Sequence, residues 1–191
     1  MTVRLSLLRH GETERGAGFR GSLDDALTPE GWAQMRAAVA KPGGWVRVIS
    51  SPLQRCARFA ETLELPVHLE PDLRELHFGA WEGLSTAQVH AQDEQALGRF
   101  WADPYGYTPP KGEPVAAFAE RVGRAVEALA AAYAGEHVLV ITHGGVMRLL
   151  LAAARQLPRE RLMEVVVAHG GLHTLEGTPG AWREVPPCGP C

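Results

Sequence analysis

Residues 137–157 read HVLVITHGGVMRLLLAAARQL, and this stretch decides the fold class. Within HVLVIT (137–142), four consecutive aliphatic residues form a short run without polar alternation, as in a strand buried on both faces. His143-Gly144-Gly145 follows, and VMRLLLAAARQL (146–157) then reads as a helix. A buried strand leading through glycines into a helix is half of a βαβ unit. Such units build parallel sheets with helices on their faces.

The cycle recurs along the chain. VRLSLL (3–8) predicts another buried strand, followed by a glycine-rich loop over 16–28. Thr28-Pro29-Glu30 then reads as an N-cap, a proline at the first helical position and an acidic first turn. That helix carries Trp32, Met35 and Val39 and stops before Pro42-Gly43-Gly44. WVRVIS (45–50) predicts the next strand, with Ser51-Pro52 capping a helix that aligns Leu53, Cys56, Ala60 and Leu63. VHLEP (67–71) is a short strand, and Ser85 with Gln88 forms a capping-box pattern opening a helix to about Trp101. A long loop covers 103–114, an alanine-rich helix 115–133, and a strand pair 172–176 and 182–185. The expectation is one domain over 1–191, a three-layer α/β/α sandwich around a mostly parallel sheet.

Composition narrows the function classes. The net charge of −3, without a Lys/Arg tract, argues against general nucleic-acid binding. Lys41 and Lys111 are the only lysines, so nearly all positive charge is arginine, the planar fork suited to phosphate oxygens. No apolar run is long enough to span a membrane and no signal-peptide pattern is visible, so a cytoplasmic protein is expected. Cys56 reads as a buried thiol. Cys188 and Cys191 form a C-x-x-C in a tail over about 186–191, read as inert because no helix follows it.

In an open α/β sheet, ligands gather at the carboxyl ends of the strands. Those ends carry Arg9 and His10, then Arg55 one turn beyond Ser51-Pro52, then His143. The loop LRELHFGAWEG (73–83) adds Glu75, His77 and Glu82. Two arginine forks would hold phosphoryl oxygens, imidazole is a competent nucleophile toward phosphorus, and a carboxylic acid can protonate a leaving oxygen. Gly11 and Gly144 let backbone amides approach an anion. Taken singly, each histidine reads more simply as a structural residue. A metal site is the other rival, opposed by the two arginines and by the lack of H-E-x-x-H spacing.

The segment LLRHGET resembles the signature of the histidine phosphatase superfamily, the phosphoglycerate mutase-like family. GSLDDALTPEG (21–31), SSPLQRCARFAETL (50–63), LRELHFGAWEG (73–83) and VLVITHGGVMR (138–148) extend the likeness over most of the chain. The resemblance implies that His10 is the phosphorylated nucleophile and that Arg9, Arg55 and His143 complete the phosphate cradle with Gly144. It implies Glu75 as proton donor, with Glu82 as the alternative acid, and neither metal nor other cofactor. Arg15 and Gly16 stand where mutases of the family carry Trp and Asn, and Gly145 where they tend to Asn. These departures favour a phosphatase.

FGAWEG, the stretch from Trp101 to Glu113 and THGGVMR also resemble α-ribazole phosphatases of cobalamin synthesis, though Pro114 stands where serine is usual. On that reading the loop at about 101–114, with Tyr105, Tyr107 and Glu113, covers the substrate. The alternatives are a broad-specificity small-molecule phosphatase, a phosphoglycerate mutase, and an inactive phospho-ligand-binding protein. The expected partner is a small phosphate monoester, not nucleic acid or membrane; homodimer formation stays open.

Overall fold

Strand β1 (Val3–Arg9) sends Leu5 and Leu7 into one hydrophobic core and Leu8 into a second one across the sheet. Strand β4 (His137–Thr142) repeats the division, with Val138 and Val140 on the first side and Leu139 and Ile141 on the second. Helices α5 (Val115–Ala132) and α6 (Gly144–Ala154) cover the first side through Val122, Val126, Met147 and Leu151. Helices α1 (Pro29–Ala38) and α2 (Gln54–Ala60) cover the second through Met35, Cys56 and Phe59. The result is the expected three-layer α/β/α arrangement. The structure is a computed structural model and describes residues 1–41 and 43–186.

Strands β2 (Arg47–Ser50), β3 (Val67–Leu69), β5 (Leu172–Thr178) and β6 (Ala181–Val185) complete a six-stranded sheet in the order β3-β2-β4-β1-β5-β6. The first four strands in that order are parallel, while β5 and β6 add antiparallel strands at one side. Arg9 pairs with Thr142 and Ser50 with Ile141, so the carboxyl ends of β1, β4 and β2 lie side by side. A one-residue slip would turn Leu5 and Leu7 into the other core and bring Arg4 and Ser6 against the apolar side chains of the first. Core packing therefore sets the register that brings the polar strand ends together.

Thr28 caps α1 by accepting from Gly31 N, and Ser85 and Gln88 form the expected reciprocal capping box. Several boundaries differ from the sequence expectations. The single helix expected from Ser85 to Trp101 is two, α3 (Thr86–Gln92) and α4 (Glu94–Ala102). Asp93 adopts an extended backbone at the break, and its side chain accepts from Ala96 N to cap α4. An aspartate that can cap a new helix ends the old one. Helix α2 begins at Gln54 with Leu53 in the cap position and no side-chain cap, so Ser51-Pro52 does not cap it. Strand β2 starts at Arg47, β3 ends at Leu69, and α6 spans Gly144–Ala154 rather than 146–157.

Cys56 is buried, and that burial pushes its thiol up to about 12, well away from reactivity. Cys188, Cys191 and the tail from 187 onward lie outside the described residues. Among the described residues no helix is long and apolar enough to cross a membrane.

Candidate active site

His10 follows β1 directly, and its backbone N–H donates to Thr142 O at 3.0 Å, continuing the pairing with β4. Its Nδ1 lies 2.7 Å from Gly11 O, an acceptor only. The network thus places the ring proton on Nδ1 and leaves Nε2 unprotonated. Burial, then the charge of Arg55, holds the His10 pKa well below the usual imidazole value; Arg9 and His169 act in the same direction and the Gly11 carbonyl opposes them. His10 is a neutral base with its free nitrogen available for attack. Gly11 is required here because a Cβ would collide with the backbone of Gly31 in the first turn of α1.

Arg9 and Arg55 flank this ring from different elements. Arg9 Nη1 donates to Val167 O at 2.5 Å, while its buried Nε has no partner. Arg55 is fully buried and holds the loop after β1 through Gly21 O at 2.8 Å and Leu23 O at 2.5 Å. Its Nε donates to His143 Nδ1 at 3.2 Å. A guanidinium has five donors, so two remain on Arg55 and four on Arg9.

His143 has no exposure, and both ring nitrogens are occupied by protein. Nδ1 accepts from Arg55, so Nε2 carries the proton and faces Ser51 Oγ at 2.7 Å. Its ring meets that of His10 edge-on at 5.2 Å. Burial and then Arg55 hold its pKa well below the ordinary value. The sequence reading set His143 among the groups touching phosphate; the structure sets it one layer behind His10 and Arg55. Ser51, expected as a helix cap, instead orients this histidine.

Glu75 approaches from the segment after a 3₁₀ turn at Pro71–Leu73. Its carboxylate accepts from Leu76 N and Gly145 N, each at 2.9 Å. Thr142 Oγ1 donates to Leu73 O at 2.8 Å, fastening the segment to the end of β4. Arg121 donates to the carbonyls of Asp72, Arg74 and Glu75, and is itself held by Glu113 at 2.7 Å. Glu113 therefore reaches Glu75 through Arg121 and does not line the cavity. Tyr105 lies under Arg159 at 4.8 Å and Tyr107 stacks on Trp81 at 5.9 Å, so neither tyrosine faces the cavity. Glu82 accepts from Ser22 N, Ser22 Oγ and Phe78 N, which ties two loops together away from the cavity wall.

Arg9, His10, Arg55, Glu75 and Gly144 line one cavity of about 280 Å³. Two further arginines and a histidine that the sequence reading did not select also line it: Arg20, Arg148 and His169. Arg148 stands one helical turn beyond Gly144, so helical spacing places both on one face. His169 lies in the loop before β5, 5.7 Å from the His10 ring, with its pKa lowered to about 4 by burial and then Arg9. Arg20 pairs with buried Asp25 at 3.4 Å. Four guanidinium groups thus face a cavity with one carboxylate, a field that attracts a phosphate dianion. Among the described residues, no three His, Cys, Asp or Glu side chains group as metal ligands.

The family model for the histidine phosphatase superfamily, branch 1, matches residues 5–186. The chain belongs to that superfamily. The chain is 40% identical over 161 residues to the bifunctional protein Rv2228c of Mycobacterium tuberculosis. The match covers 80% of this chain and 44% of that relative, so the chain spans under half the relative's length. It is 30% identical over 176 residues to an adenosylcobalamin/α-ribazole phosphatase of Salmonella typhimurium, covering 88% and 87% of the two chains. The solved structure of a mycobacterial glucosyl-3-phosphoglycerate phosphatase superposes with a TM-score of 0.83 at 28% identity, covering 96% and 97%.

Proposed function

We propose that this histidine phosphatase hydrolyses small phosphate monoesters through a phosphohistidine on His10, with no metal ion. The observation that carries the reading is the tautomer of His10: Nδ1–H is spent on Gly11 O, leaving Nε2 as a free base between Arg9 and Arg55. Nε2 attacks phosphorus as the P–O bond to the alcohol breaks, and protonated Glu75 gives its proton to the departing oxygen. Water then attacks the phosphohistidine, Glu75 takes back a proton, and the N–P bond breaks to release phosphate. The remaining donors of Arg9 and Arg55 stabilise the equatorial oxygens during both transfers. His143 is a positioning residue in this scheme, holding Arg55 through Nδ1 and backing the His10 ring. Glu75 is favoured over Glu82 as the acid because its carboxylate belongs to the cavity that contains His10.

α-Ribazole phosphate is the substrate favoured among the family's activities, supported by the relative from Salmonella typhimurium matched over most of both chains. The cytoplasm is the proposed compartment. The test is phosphate release in EDTA, without a bisphosphate primer, from α-ribazole phosphate, 3-phosphoglycerate and an aryl phosphate. Release by the wild type that is abolished in His10→Ala supports the mechanism, and preference for α-ribazole phosphate supports the substrate. Activity that requires a bisphosphate primer makes the protein a mutase instead.

A further inference from the structure

Beyond the phosphate cradle, the cavity changes character. Leu76 adjoins Glu75 in the chain and gives it a backbone hydrogen bond, while Leu149 lies one helical turn after Gly145, which gives the other. The wall that begins at the acid continues through Phe78, Phe100, Phe118, Leu162 and Met163. Phe100, Phe118 and Leu162 belong to the buried core on this side of the sheet, so this wall is a face of the packed interior. Among the described residues no Asp, Asn, Gln, Ser, Tyr or Lys side chain lines the cavity. Among the described residues the only lining hydroxyl is that of Thr13, which is buried in the loop after β1 and bridges Leu27.

We propose that this wall is the leaving-group subsite, and that it selects phosphate monoesters whose alcohol carries an aromatic ring or comparable apolar group. The inference rests on the phosphatase reading for its orientation, because Glu75 marks the side from which the alcohol departs. A polyhydroxylated alcohol would lose hydrogen bonds to water against this wall and gain none, whereas a ring would bury its surface there.

The experiment measures binding and turnover separately. Calorimetry on the wild type compares benzylphosphonate with 2,3-dihydroxypropylphosphonate, neither of which can be hydrolysed. Turnover of benzyl phosphate and glycerol 3-phosphate, both esters of alkanols, is followed in parallel. Burial of one ring predicts roughly 10- to 100-fold tighter binding of the benzyl compound and a similar advantage in kcat/KM. Met163→Gln, at a partly buried wall position, is expected to remove most of that advantage, read as the ratio of the two kcat/KM values. Equal affinities, or a preference for the dihydroxypropyl compound, overturn the subsite. In that case turnover of both esters leaves the phosphatase reading intact. Tight benzylphosphonate binding with no turnover of either ester supports the subsite and overturns the catalytic reading.

Discussion

Gly145→Ala tests how closely the acid must be held. A Cβ at this position overlaps Glu75 Oε1 and lies only 3.0 Å from its Cδ and 3.3 Å from Oε2. The atoms it meets are the tip of a side chain, so the backbone of α6 can stay in place while the carboxylate retreats by roughly 1 Å. That retreat breaks or stretches the 2.9 Å bond from Gly145 N and moves the proton away from the departing oxygen. A displacement of about 1 Å at a reacting group costs roughly 10²-fold in rate. The effect on stability is small and of mixed sign. Alanine favours the helix by up to ~1 kcal/mol, and the lost charge-assisted bond costs ~1.5–3 kcal/mol if the carboxylate finds no water. The expected result is a kcat for an alkyl phosphate lowered roughly 10²-fold, with Tm within about 5 °C of the wild type. A nitrophenyl phosphate, whose leaving group needs no proton, should lose much less, and Glu75→Gln should show the same asymmetry. Equal losses on the two esters, or wild-type turnover of the alkyl ester by a folded variant, would refute the placement of Glu75 as the acid.

Ser51→Ala removes the oxygen acceptor of the buried Nε2–H of His143, leaving only the weaker Cys56 Sγ at 3.7 Å, and should cost ~1–3 kcal/mol in chemical denaturation, with a fall in kcat as Arg55 loosens. Asp25→Ala leaves Arg20 without its carboxylate partner at the cavity rim; a loss of ~3 kcal/mol and a raised KM are expected from denaturation and steady-state kinetics. His10 and His143 have folded pKa values depressed below the unfolded value near 6.5, so the native state resists protonation that the unfolded chain accepts. Their contribution is therefore complete above about pH 6.5 and lost as pH falls below it, by ~1.4 kcal/mol per pH unit for each histidine. An NMR titration of the imidazole carbons should show both rings neutral at pH 6, and a charged ring at that pH would contradict the buried environment.

The sequence was most informative where local pattern and tertiary structure agree. Apolar runs ending in Arg9-His10, Ser50-Ser51 and His143 marked the strand ends, because a strand covered on both faces must be apolar until it leaves the sheet. The spacing from Ser51 to Arg55 placed an arginine in the first turn of α2, where the structure finds it at the cavity. By contrast, residue types alone left Glu75, His77 and Glu82 equivalent, since all three occupy one irregular loop. The family resemblance ranked Glu75 first, and the contacts with the distant Gly145 and Ser22 give that ranking its physical ground. Arg121, Ser51 and Asp25 were illegible for the same reason. Arg121 acts on carbonyls 46 to 49 residues away, and Ser51 acts on a ring 92 residues away. The helix break at Asp93 was masked because apolar spacing continues across it, while the capping aspartate that ends one helix and starts the next looks locally like any polar surface residue. Tyr105 and Tyr107 looked available for stacking on a ligand until Arg159 and Trp81 were seen to occupy them.

The central claim is that His10 Nε2 carries the phosphoryl group between substrate and water. Rapid acid-free quenching during turnover of a ³²P-labelled monoester, followed by peptide mapping, tests it most directly. The account predicts an acid-labile, base-stable phosphoryl group on the peptide containing His10, formed and lost at rates at least equal to turnover and absent from His10→Ala. Full turnover without that species, or hydrolysis that survives in His10→Ala, would contradict it.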